Sequence, residues 1–297
     1  MSDLAAPRFF SSKNAGAVQC ELCPRHCVLK PGKTGQCRVR INRNGELVIP
    51  FYGKITGLAV DPIEKKPLYR FRPGTEILSV GFSGCNLSCP FCQNWHISQT
   101  TETQGRYIAP RELILMAKTP STGAMHSIAY TYSEPLIHAE YLLNCMKEAR
   151  KTGVKNVLVT NGCINAPAAA EILDLCDAAN IDLKCFSENT YSKILGGSIE
   201  AFAAVLDFIR TALEKGVHVE LTTLVIPGLN DSASELDKCT NFIAELEAAG
   251  HTVPWHLTAY RPCYKWNAPA TDPGFLITAA KRAGEKLQFV YTGNIGF

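Results

Sequence analysis

The chain has 297 residues, 46% hydrophobic and 19% charged, with a formal net charge of +3. That composition supports a large buried core and excludes a disordered chain, while so small a charge gives nucleic-acid binding no support. The polar amino terminus lacks the apolar run of a signal peptide. No stretch approaches the roughly 20 apolar residues of a membrane span, so the sequence predicts a soluble, cytoplasmic protein with no membrane partner.

Residues 1–72 read as a small Cys-rich appendage and its linker. Two short β-like runs, 38–41 and 47–51, flank Asn44-Gly45, a hairpin turn signature. The stretch 61–74, rich in Pro, Gly and charge, reads as the linker. From residue 73 to 297 strand-like and helical patterns alternate. Strands are expected at 77–81, 128–132, 157–160, 181–183, 217–226 and 255–259, with a short last run at 288–291. Helices are expected at 111–119, 136–152, 166–179, 199–215, 232–249 and 272–286. Strand–helix–strand alternation implies a parallel sheet with right-handed crossovers. A full eight-unit barrel takes about 250 residues, so the fold expected is α/β, a partial (β/α)6 barrel. A doubly wound sheet is the competitor. In either fold, ligands sit at the carboxyl ends of the strands.

Thirteen cysteines is a heavy load for a chain read as cytosolic, where structural disulfides are rare. Cys145, Cys163, Cys176, Cys185, Cys239 and Cys263 are scattered, and most fit as small buried hydrophobes. The other seven fall in two clusters. Cys20-x2-Cys23-x3-Cys27-x9-Cys37 is a four-thiol set with no open position, suited to zinc or an auxiliary Fe–S cluster that would staple the appendage. Soft ligands alone do not separate the two metals.

The second cluster, Gly84-Cys85-Asn86-Leu87-Ser88-Cys89-Pro90-Phe91-Cys92-Gln93-Asn94, leaves the carboxyl end of the first predicted strand. Three thiolates suit a [4Fe–4S] cluster with one iron free of protein ligands; a zinc site would need a fourth ligand, which His96 could supply. The C-x3-C-x2-C spacing, with Phe91 before the third cysteine, resembles the radical S-adenosylmethionine (SAM) superfamily signature. That resemblance implies SAM chelated at the free iron and reductive cleavage to a 5′-deoxyadenosyl radical that abstracts a substrate hydrogen. It also implies that Phe91 lies against the adenine, with backbone groups near Gln93 and Asn94 at its polar edge.

Motifs of the same superfamily follow later strands. Tyr132-Ser133-Glu134-Pro135 stands where these enzymes hold Gly-Gly-Glu-Pro, whose backbone receives the SAM ammonium; a plain helix start is the alternative. Val159-Thr160-Asn161-Gly162 is similar to an Asp-Thr-Asn-Gly motif, with Val159 replacing the carboxylate. Asp182-Leu183-Lys184 matches Asp-Leu-Lys, whose two charges share one side of a strand and could bind SAM or simply pair with each other. Thr223 and Val225 on the fifth strand are expected to line the adenine. His256 and Arg261, near the last predicted strand, are candidates to touch substrate or donate a proton.

Together with Gly32-Lys33-Thr34-Gly35-Gln36-Cys37 and the tail Val290-Tyr291-Thr292-Gly293-Asn294-Ile295, these motifs resemble the radical SAM member of the AmmeMemoRadiSam system, related to pyruvate formate-lyase activating enzymes. The resemblance implies an oxidoreductase that uses a [4Fe–4S] cluster and SAM, with a reductant such as flavodoxin or ferredoxin and a protein substrate, or Memo-like and AMMECR-like partners. Activation of a glycyl-radical enzyme, radical modification of a small molecule or nucleoside, and a non-enzymatic zinc or Fe–S binding module are the three functions it leaves open.

Overall fold

The computed structural model describes residues 6–102, 105–118 and 126–296. Its main sheet has eight strands: β1 (Gly57–Pro62), β2 (Glu76–Gly81), β3 (Ser127–Thr131), β4 (Lys155–Thr160), β5 (Ala178–Asp182), β6 (His218–Val225), β7 (Trp255–Ala259) and β8 (Val290–Gly293). They lie in sequence order across the sheet; β1 and β2 pair antiparallel, and every other neighbour pairs parallel. Helices α1 (Pro110–Lys118), α2 (Ala139–Thr152), α3 (Ala166–Leu173), α4 (Ala201–Glu214), α5 (Ala233–Ala248) and α6 (Pro273–Gly284) supply the crossovers. This is the expected α/β architecture, with one more parallel strand than six units provide and an antiparallel strand in front.

Strand parity separates the two faces of the sheet. Leu78, Val80, Ile128, Tyr130, Leu158, Ile181, Val219, Leu221 and Leu257 pack with the helices in the main core. Helix α2 answers with Tyr141, Leu142, Cys145, Met146 and Ala149, the spacing of one helical face. Gly153 ends α2 at φ 75°, a left-handed cap that suits glycine.

The other face, on Ile77, Ala129, Val157 and Ala178, is filled by Ile63 and Leu68. These two residues come from the stretch expected to be a linker. Its backbone is also held: Asn180 Nδ2 donates to Pro67 O at 2.8 Å, and Glu220 accepts from the Tyr69 and Arg70 amides at 3.0 and 2.8 Å. The breaker-rich segment is therefore a plug against the inner face of the curved sheet. Its turns give it that shape; its apolar residues give it that place.

Two other boundaries differ from expectation. The helix expected over 166–179 ends at Leu173, and Ala178 and Ala179 belong to β5, paired with Val157 and Leu158. Sheet pairing overrides the helical preference of alanine there. The hairpin around Asn44 (φ 53°) and Gly45 (φ 93°) forms, but over Ile41–Arg43 and Glu46–Val48. Position 119, the expected end of the first helix, lies outside the described residues. So does position 297, and so do residues 1–5 of the amino terminus.

The Cys-rich amino-terminal part packs onto the sheet domain. Arg40 and Glu140, each 1% exposed at the side chain, form an ion pair at 3.0 Å, and Glu140 also accepts from the Arg8 amide. No helix among the described residues is long and apolar enough to cross a membrane.

Candidate functional site

The strand carboxyl ends surround a cavity of about 370 Å³. Cys85, Cys89 and Cys92 line it together with Phe91, Gln93, Asn94, Tyr132, Ser133, Glu134, Asn161, Asp182 and Lys184. Residues from motifs up to 99 positions apart thus share one wall, because parallel strands bring all their carboxyl ends to the same edge.

The cysteine loop leaves β2 through Gly84, at φ 83°. A side chain there would place its Cβ 2.4 Å from the Cys37 carbonyl oxygen, so only glycine fits. Cys85 Sγ accepts from the Leu87 amide at 3.3 Å and from Asn161 Nδ2 at 3.6 Å; Cys92 Sγ lies 3.3 Å from Ser98 Oγ. Burial pushes the Cys89 thiol up to about 11, with the Lys184 ammonium pulling the other way. Burial also raises Cys85 well above its ordinary value. Such thiols deprotonate when metal charge compensates them. Among the described residues no three His, Cys, Asp or Glu side chains converge as ligands of a single ion. The three thiols line the cavity, and a set of three thiolates fits a multi-iron group with one open position.

Glu134 organises the rear of the site. It caps the short helix Pro135–His138, with Oε1 accepting from the Leu136 amide at 3.0 Å and from Thr160 Oγ1 at 2.6 Å. Its Oε2 accepts from the Asn161 amide at 2.8 Å. Burial raises this carboxyl to about 7 against those three donors. Thr160 is occupied in that support and does not line the cavity, whereas Asn161 does.

Tyr132 replaces a glycine of the related motif yet keeps a left-handed backbone, φ 68°. That conformation costs a non-glycine residue on the order of 1–2 kcal/mol. Its surroundings hold it there. Tyr132 OH donates to Asp61 Oδ2 at 2.9 Å, Lys66 Nζ sits 4.7 Å from the ring centroid, and its carbonyl accepts from Asn94 Nδ2. Burial works to raise Asp61, but Lys65, Lys66, Ser79 and Tyr132 hold its carboxyl well below the usual range.

On the same cavity Lys184 Nζ donates to Asp182 Oδ2 at 2.8 Å. Burial opposes the Lys184 charge, but Asp182 and Cys89 hold its pKa well above the ordinary value.

Four more expected residues, besides Thr160, are elsewhere. Thr223 and Val225 are buried on the helix side of β6, and Thr223 Oγ1 donates to Leu183 O. Thr222 and Leu224 face the cavity instead. A strand buried on both faces does not disclose which parity points inward. His256, 2% exposed, stands near the start of β7 and binds Glu220 at 2.7 Å, beneath the cavity. Arg261 is exposed beyond β7 and is not among the residues that line the cavity. Sequence reasoning also missed Lys65, Pro67, Thr258 and Asn294 on the cavity wall. Inward parity on β7 would have selected Thr258; the plug residues carried no motif.

The amino-terminal thiols come together as well. Cys20, Cys23, Cys27 and Cys37 line a second, small cavity with Arg25, Arg40 and Asn86. Among the scattered cysteines, Cys145, Cys163, Cys176, Cys185 and Cys239 are buried in the core, as expected of small hydrophobes. Cys263, half-buried, points its thiol at the Cys92 carbonyl at 3.7 Å.

Comparison with known proteins agrees with this geometry. The Radical SAM superfamily profile matches residues 79–238. An uncharacterized protein of Methanocaldococcus jannaschii is 36% identical over 97% of this chain and 84% of its own length. The pyruvate formate-lyase 1-activating enzyme of Escherichia coli K12 is 24% identical over 62% of this chain and 75% of its own. A radical SAM methyltransferase from Sphaerobacter thermophilus shares the fold, with a TM-score of 0.56 at 13% identity over 75% of this chain and 67% of that one.

Proposed function

The chain belongs to the radical SAM superfamily, and on that footing we propose that the loop 85–92 and the cavity above it form the site of a SAM-dependent hydrogen abstraction. One observation carries this reading: three thiols at C-x3-C-x2-C spacing share a cavity wall with the Asp182/Lys184 pair, Asn161 and Glu134. Cys85, Cys89 and Cys92 would hold the [4Fe–4S] cluster, and the cavity beside them would take SAM. When bound, these groups supply one-electron reductive cleavage of the sulfonium and a hydrogen abstraction from substrate.

The protein's own groups bind and orient. Asn161 fixes Cys85 through its side-chain amide while Glu134 fixes Asn161 through its backbone, so the cluster loop is tied to the carboxyl ends of β3 and β4. Tyr132 and Ser133, at the place of the motif whose backbone receives the SAM ammonium in related enzymes, line the cavity together with the Asp182 side chain. Phe91, 6% exposed, presents an apolar surface suited to a purine and packs edge-on against Trp266. Lys184 neutralises charge beside Cys89. The plug packs on the sheet face beneath the cavity and gives it Lys65 and Pro67.

For the substrate we extend the proposal to a protein partner, activated by removal of a glycine Cα hydrogen. The similarity to pyruvate formate-lyase activating enzymes supports this, as does membership of the AmmeMemoRadiSam group suggested by the motifs. Memo-like or AMMECR-like proteins would be its partners and a flavodoxin or ferredoxin its reductant. The amino-terminal thiols would hold a second metal group, zinc or iron–sulfur.

Asp182→Asn tests the binding role. Losing a charge-assisted contact costs about 1.5–3 kcal/mol, so SAM affinity of the cluster-loaded protein should fall roughly 10- to 150-fold. Equilibrium dialysis under anaerobic conditions measures it. Unchanged affinity would leave Asp182 as a partner of Lys184 alone.

A further inference from the structure

We infer that Cys20, Cys23, Cys27 and Cys37 hold a redox-active [4Fe–4S] cluster that relays electrons to the cluster on the loop 85–92. This rests on the function proposed above and assigns the amino-terminal part a role in it.

The first observation concerns what the four thiols enclose. The four thiols line one small cavity of about 10 Å³, and four thiolates are the ligand set of an iron–sulfur cluster as well as of zinc. Arg25 and Arg40 line the same cavity, and the buried Nε–H of each donates to no protein atom among the described residues. Arg40 is 1% exposed, and its Nη1 is already engaged by Glu140. Buried donors require acceptors. The sulfides and thiolates of an anionic cluster would provide them, and two guanidinium groups would offset its charge.

The second observation is where this cavity lies. Cys85 lines the large cavity, and its neighbour Asn86 lines the thiol cavity, so one peptide segment is the partition between them. The Cys37 carbonyl packs against Gly84 too closely for any side chain. Gln36 Nε2 donates to Ser88 Oγ at 3.1 Å, and Arg25 donates to the carbonyl of Gly196, whose segment accepts the Ser88 amide through Leu195 O at 2.7 Å. A structural staple has no need to sit directly behind the cysteine loop. An electron relay does.

The third observation gives the path a direction. Cys23 and Cys27 are partly exposed, while Cys20 and Cys37 are buried. Lys30 and Lys33 are exposed in the segment that follows Cys27, positive charge suited to an acidic carrier protein.

The step is a one-electron transfer with no bond made or broken. A reduced low-potential carrier of the iron–sulfur or flavin class loses one electron. The outer cluster passes from the 2+ to the 1+ state, then returns to 2+ as the loop cluster is reduced from 2+ to 1+.

Anaerobic reconstitution of the full chain should yield about eight irons and eight sulfides per chain. The triple variant Cys85→Ala/Cys89→Ala/Cys92→Ala should retain about four of each. Dithionite-reduced wild type should show an electron paramagnetic resonance spectrum broadened by coupling between two reduced clusters. In Cys23→Ala/Cys27→Ala, reduction of the loop cluster by reduced ferredoxin, followed by freeze-quench spectroscopy, should slow by an order of magnitude or more. Dithionite, being small, should still support SAM cleavage. One zinc per chain, a triple variant that is folded and free of iron, or an unchanged ferredoxin rate in the double variant would each overturn the relay. All three outcomes are compatible with SAM cleavage by the wild type, whereas failure of that cleavage would strike the function itself. If the double variant does not fold, the wild-type iron count and spectrum still decide.

Discussion

Alanine at any one of Cys85, Cys89 or Cys92 is expected to reduce 5′-deoxyadenosine formation to background. Each thiol holds a separate corner of the proposed cluster, and two protein ligands do not secure a cube that must also keep one iron open. The contrast lies elsewhere in the chain. Cys145 and Cys239 are buried in the helix-side core, where alanine removes only a small packed side chain. Cys239→Ala should cost about 1 kcal/mol of stability and leave SAM cleavage intact. Chromatographic quantitation of 5′-deoxyadenosine from anaerobically reconstituted, dithionite-reduced proteins compares the set. Cleavage at the wild-type level in a loop variant would remove that cysteine from the ligand set.

Glu220 carries the second large effect, on stability rather than chemistry. Its side chain is 0% exposed and accepts from the Tyr69 and Arg70 amides and from the rings of His218 and His256. Tyr69 and Tyr291 lie against the His256 ring at 4.7 and 5.2 Å between centroids. One carboxylate thereby fastens the plug to β6 and β7. Burial works to raise its pKa, but the two histidines and two amides lower it to about 2 from 4.5. A depressed carboxyl contributes stability that is complete above its unfolded value and disappears as pH falls through its folded one. The contribution is thus full at neutral pH, about 3 kcal/mol at 1.36 kcal/mol per unit, and is lost between about pH 4.5 and 2. Glu220→Gln should lower the denaturant midpoint of the metal-free chain at pH 7, and the gap from wild type should shrink markedly by about pH 3. A gap independent of pH would mean that the carboxylate charge is not what holds the plug.

Glu220 and His256 also show why part of the site was illegible in the sequence. His256 attracted attention as a titratable residue close in sequence to a strand end. It lies at the amino-terminal end of β7, however, and the chemistry gathers at the carboxyl-terminal ends. Its partner Glu220 is 36 positions away and carried no motif. The plug was misread because local composition reports turns and not destinations: Pro67 and Gly74 bend the chain, while Ile63 and Leu68 decide where it goes. The cysteine loop, Asp182 and Lys184 were legible because their chemistry is encoded at short spacing. Asn161 was legible for the same reason, by its place after β4. Thr222 and Leu224 were hidden because β6 is buried on both faces and each face carries a threonine near its carboxyl end, so alternation does not say which side meets the cavity. Tyr132 is a different case. The sequence shows a bulky residue where related enzymes have glycine, and the contacts of its ring with Lys66, its hydroxyl with Asp61 and its carbonyl with Asn94 explain how the left-handed turn survives.

The assignment of the loop 85–92 to an iron–sulfur cluster with an open coordination position is tested most directly by one anaerobic reaction. Purified, iron- and sulfide-reconstituted protein is mixed with SAM and dithionite, and 5′-deoxyadenosine and methionine are quantified together. The account predicts both products in equal amounts, dependent on reductant and absent from the loop-cysteine variants. A fully reconstituted protein that binds zinc in that loop, or that holds its cluster yet releases neither product, would contradict it.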